Sequence, residues 1–83
     1  MTNNIQNQIL SDLDKLDNVN LIASVNKLNS YENIMHFSKK GVNMKTVLAL
    51  CVRKLLDKKL KIPSHGYYDL IKIGEEFEKS KNT

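Results

Sequence analysis

The chain has no tryptophan, one proline (Pro63), one cysteine (Cys51), one arginine (Arg53) and three scattered glycines. Each scarcity excludes something. A single cysteine rules out an internal disulfide framework, the usual staple of a small secreted domain. Isolated glycines leave no loop that could cradle a phosphate. Neither His36 nor His65 has a second histidine or a cysteine at i+3 or i+4, so spacing supplies no metal site. No Ser–His–Asp set and no Cys–His pair can be assembled from spacing. Asp12, Asp14, Glu75, Glu76 and Glu78 read as solvated helix faces, because nothing near them would shift a pKa toward acid–base work. The longest strongly apolar run, Thr46 to Val52, is far short of the ~20 residues that a membrane span needs. The start, MTNNIQNQILSDL, has no basic stretch followed by an apolar one and so does not read as a signal peptide. The expectation is a non-enzymatic, cytoplasmic protein without cofactor or metal.

What is present fits one small helical domain over residues 1–83. A chain of 83 residues buries only about 60–65% of its unfolded surface, so its stability is marginal and a partner or a second copy helps. Asparagine and lysine dominate the polar positions. The net charge of +4 is unevenly spread. Residues 39–61 hold eight cations against Asp57 alone, whereas both flanking segments are slightly acidic.

The chain is organised around 43–60, NMKTVLALCVRKLLDKKL. Asn43 is a capping residue, and Pro63 biases the residue before it away from the helical region. Between them Val47, Leu48, Leu50, Cys51, Val52, Leu55, Leu56 and Leu60 leave only Thr46, Ala49, Arg53 and Asp57 as a polar or small stripe. A helix apolar over most of its girth is a central one.

Four further helices fit around it. Over 3–16, Ile5, Ile9, Leu13 and Leu16 form one face. Over 17–29, Leu21, Ile22, Val25 and Leu28 form a helical face after a cap at Asp17 or Asn18. The same stretch also alternates as a strand through Val19, Leu21, Ala23 and Val25; the helical period is preferred because it accounts for Ile22. Over 30–40, Ser30 caps a helix with Tyr31, Ile34, Met35 and Phe37 facing inward. Gly41 stands where a helix ends with φ > 0, and Val42 is placed to pack back on Phe37. After the turn at Pro63–Gly66, residues 67–79 form a last helix with Tyr67, Leu70, Ile71, Ile73 and Phe77 on its apolar side. Gly74 inside it either allows close packing or weakens it. Residues 1–4 and 80–83 are expected to be disordered.

Lys39, Lys40, Arg53, Lys54, Lys58, Lys59 and Lys61 are the candidate partner-binding residues. With the central helix continuing past Leu60, Lys54, Lys58 and Lys61 fall at i, i+4 and i+7 on one face. Such a patch suits an acidic protein surface, nucleic acid or anionic lipid; a solvated helix end whose cations offset the helix dipole is the plainer alternative.

Lys39 to Lys59, KKGVNMKTVLALCVRKLLDKK, resembles the second helix of ribbon-helix-helix DNA-binding proteins. That resemblance implies a dimer in which Leu21, Ala23 and Val25 turn inward from a strand while Asn20, Ile22 and Ser24 read the DNA groove. Length, Asn/Lys-rich composition and compact helical layout also resemble the small regulatory proteins of T-even-type phages, antiholin-type regulators of lysis inhibition among them. This second resemblance implies action by binding another protein, and carries no functional residue across. The preferred expectation is all-α, four to five short helices around 43–60, in a regulator that binds a partner protein. The alternative is a ribbon-helix-helix dimer with helical extensions that regulates transcription. A homodimer is compatible with both.

Overall fold

The structure, a computed structural model, describes residues 4–81. It contains five helices and, among the described residues, no strand: α1 (Asn4–Asp14), α2 (Asn18–Leu28), α3 (Tyr31–Ser38), α4 (Met44–Asp57) and α5 (Leu70–Lys81). The ambiguous stretch is therefore helical. The ribbon that the DNA-binding alternative requires is occupied by α2, whose Leu21 and Val25, four residues apart, are fully buried. Asn4 and Ser80 lie inside helices rather than in disordered ends; residues 1–3 and 82–83 lie outside the described residues.

Four helices begin on a side-chain cap. Asp17, Ser30, Asn43 and Asp69 each accept a hydrogen bond from the backbone N–H three residues on, at 2.9, 3.3, 3.2 and 3.1 Å. Each satisfies one of the donors a helix start leaves open, at about 1 kcal/mol apiece.

Helix α4 packs against all four others. Val47, Leu48, Cys51, Val52 and Leu55 are fully buried, and Leu13, Leu21, Val25, Ile34, Val42 and Leu70 close over them. Burying one such side chain stabilises the fold by about 1.5–3 kcal/mol. Gly74 permits the approach of α5: a Cβ there would come within 2.8 Å of Ile62 Cδ1 and 3.5 Å of Val52 Cγ1.

Two helices end in the same way. At the end of α3, the Val42 N–H donates to the Phe37 carbonyl and the Gly41 N–H to that of Ser38, with Gly41 at φ 84°. At the end of α4, the Leu60 N–H donates to the Leu55 carbonyl and the Lys59 N–H to that of Leu56, with Lys59 at φ 59°. Both are Schellman endings. The second corrects the expectation of a helix to Leu60: α4 stops at Asp57, so Lys58, Lys59 and Lys61 share no helical face with Lys54. The strap 58–69 then folds half-buried Leu60 and Ile62 back toward the core.

The expected helix start at Tyr67 is corrected as well. The Tyr67 N–H donates to the Asn29 carbonyl at 2.7 Å. The Asn29 side chain accepts from the Tyr68 N–H at 2.9 Å and donates to the Tyr68 carbonyl at 3.0 Å. These bonds hold 67–68 in a bend against the α2–α3 turn, and α5 starts after Asp69. Gly66 (φ 145°) sits directly on Asn29, where a Cβ would come within 2.6 Å of the Asn29 carbonyl oxygen.

Candidate functional site

The basic residues singled out by sequence do not form one patch. Lys39 and Lys40 follow α3 and precede the start of α4, whereas Lys58, Lys59 and Lys61 lie beyond its end. Fourteen helical residues separate the two groups, roughly 20 Å along the axis. All five of these lysines are exposed.

Arg53 and Lys54 have neighbours within the fold. The Arg53 guanidinium lies 5.6 Å from the centre of the Phe77 ring, joining α4 to α5. Lys54, on the other side of the same ridge, pairs with Asp14 of α1. This is the one ion pair among the described residues. The two cations thus brace the outer edges of α4 against the flanking helices.

Between those braces lies a surface feature that the apolar count concealed. The exposed stripe of α4 is Thr46, Leu50, Arg53 and Asp57, and Leu50 stands in it 40% exposed. Three open depressions meet along this ridge. One, of about 370 Å³, runs from Leu10 of α1 to Leu50, Arg53, Lys54 and Asp57. The next shares Arg53 and Asp57 and adds Leu56, Phe77 and Ser80. The third, about 340 Å³, shares Leu56 and continues over Ile62, Gly74 and Ile71, the last 40% exposed. Together they form a trough from α1 across α4 to α5. Its lining is mainly apolar at the two ends, around Leu50 and Ile71, and as polar as apolar in the middle, where Arg53, Asp57 and Ser80 join Leu56 and Phe77; Lys54, Glu75, Glu78 and Lys79 stand along it. It is shallow and long, which suits the face of another polypeptide better than an enclosed small molecule. The sequence pattern pointed to Arg53 and Lys54, but the apolar members of the trough come from three helices and the strap, which no periodicity aligns.

Cys51 is buried in the core, where desolvation pushes its thiol up to about 11 against the opposing pull of the Lys54 ammonium. A thiol held in that state is a poor nucleophile. Among the described residues no group of three or more histidine, cysteine, aspartate or glutamate side chains is gathered as a metal site, and no helix is long and apolar enough to cross a membrane. No protein family, no curated protein and no solved structure matches the chain.

Proposed function

We propose that this is a non-enzymatic regulatory protein that acts by docking a partner protein in the trough along α4. The observation that supports it is that the three depressions adjoin through shared lining residues, with Leu50 in one end depression and Ile71 in the other. Large apolar side chains stand half-wet there beside charged side chains on both flanks. Apolar contacts interspersed with charged ones suit a protein interface, the apolar ones supplying affinity and the charged ones orientation and on-rate. Lys58, Lys59 and Lys61 beyond the end of α4 would steer an acidic partner toward it.

The finer reading is a phage-encoded inhibitor of the antiholin kind, supported by the resemblance in size, composition and helical build. Expression of the chain during infection by a T-even-type phage should then delay lysis, and Leu50→Asp should abolish the delay while leaving the helical circular-dichroism signal intact. Unchanged lysis timing contradicts the lysis role. The broader binding role is tested separately: a partner captured by cross-linking should withstand nuclease treatment and be lost in Leu50→Asp. Loss on nuclease treatment would sink the protein-partner reading.

A further inference from the structure

All three tyrosines of the chain meet in one place, away from the residues that line the trough. The rings of Tyr31 and Tyr67, far apart in sequence, lie 6.0 Å apart and tilted by 48°. Tyr68 meets Tyr67 edge-on at 5.0 Å. Tyr31 and Tyr67 are 66% and 51% exposed. The platform is fixed from beneath by Asn29, the one buried polar residue among those described, through its three hydrogen bonds to Tyr67 and Tyr68. Gly66 closes against the same residue.

The charge flanking the tyrosines along the chain is opposite to that of the whole. Glu32 follows Tyr31 and Asp69 follows Tyr68, both exposed, and no lysine or arginine lies within two residues of any of the three tyrosines. Glu32 makes no ion pair among the described residues. One Asp69 oxygen caps α5 through the Lys72 N–H, leaving the other open. The nearest cations along the chain are Lys27, Lys61 and Lys72.

We propose that this tyrosine platform is a second contact surface, independent of the trough, that receives an arginine side chain from a basic segment of a partner protein. A guanidinium is weakly hydrated, stacks on an aromatic face and offers paired N–H donors to a carboxylate. Exposed rings, with an unpaired acid following Tyr31 and another following Tyr68 along the chain, match all three properties. A nucleic-acid backbone would bring phosphate against Glu32 and Asp69, and a purely apolar segment would desolvate those carboxylates without pairing them.

The absence of tryptophan makes the test direct, because tyrosine emission from the intact chain comes from this platform alone. The chain is titrated at physiological salt with a capped peptide of alternating arginine and glycine, with its lysine and glutamate counterparts, and with single-stranded oligothymidylate. The arginine peptide should change the emission saturably, the lysine peptide should bind more weakly, and the glutamate peptide and the oligonucleotide should have no effect. Tyr31→Leu and Glu32→Gln, both at exposed positions, should each weaken arginine-peptide binding about threefold, the factor that an exposed cation–π contact or charge pair is worth. Leu50→Asp should leave it unchanged. Equal response to the arginine and glutamate peptides, response to the oligonucleotide, or indifference to both platform substitutions would overturn the proposal.

Discussion

The inner and outer faces of α4 use the same residue for opposite ends. Leu48 and Leu55 are fully buried, while Leu50, two positions from Leu48, stands 40% exposed in the trough. A helix advances about 100° per residue, so two positions carry a side chain to the far side. Which leucine is core is decided by where the neighbouring helices lie: α1 and α5 flank the outer ridge without covering it, while the inner face is closed from all sides. The lesson is that a helix apolar over most of its girth need not be enclosed over most of its girth. The uncovered remainder is where a binding surface can be sought.

That contrast can be broken from the inside first. Leu55→Ala should cost about 2–5 kcal/mol in denaturant unfolding, through lost burial and the cavity left behind; a loss below about 0.5 kcal/mol would show that the inner face is not the core. Gly66→Ala comes next. It strains a backbone at φ 145° and drives a Cβ into the Asn29 carbonyl, so unfolding should become easier by about 1–3 kcal/mol and tyrosine emission should change as the platform shifts. An unaltered spectrum would mean that the Gly66–Asn29 contact does not hold the strap.

The two Schellman endings sharpen the comparison with smaller effects. Lys59 occupies at the end of α4 the conformation that Gly41 occupies at the end of α3. Lys59→Gly should stabilise the fold by about 0.5–1 kcal/mol, the relief of the left-handed backbone less the extra freedom of the unfolded chain. A destabilisation would show that the lysine side chain is needed there. Smallest is Lys54→Glu, which sets two carboxylates together where Asp14 and Lys54 now pair. The pair is partly exposed, so the cost should be about 0.5–1 kcal/mol, shrinking as salt is raised and reversed by adding Asp14→Lys. A cost unaffected by salt would place the effect in packing instead.

Much of this fold was legible in the sequence. The central position of α4, the helical period of α2, the caps at Ser30 and Asn43 and the glycine ending of α3 all followed from local chemistry, because each depends on residues within one or two turns. What was not legible depends on distant partners or an unusual backbone. Lys59 carries no sign that it will take φ 59°, so the end of α4 and the alignment of Lys54, Lys58 and Lys61 were misplaced. Tyr67 continues the apolar period of α5, yet it and Tyr68 are bonded instead to Asn29, 38 and 39 residues earlier. Tyr31 was expected inside and is largely wet. Of the candidate site, Arg53 and Lys54 were visible as charges, but their bracing of α5 and α1 was not. The trough itself is a property of three helices and a strap together.

The central claim is that the outer ridge of α4 serves binding while its inner face serves stability. Its most direct test measures both quantities on Leu50→Asp and Leu48→Ala: unfolding free energy in denaturant, and affinity for the captured partner at a temperature where each variant is folded. Leu50→Asp should lose only about 1–2 kcal/mol, from its part-burial and the weaker helix propensity of aspartate, and lose the partner, whereas Leu48→Ala should lose about 2–5 kcal/mol while the folded fraction binds normally. A Leu50→Asp chain that is as stable and still binds, or one that fails to fold, would contradict the account.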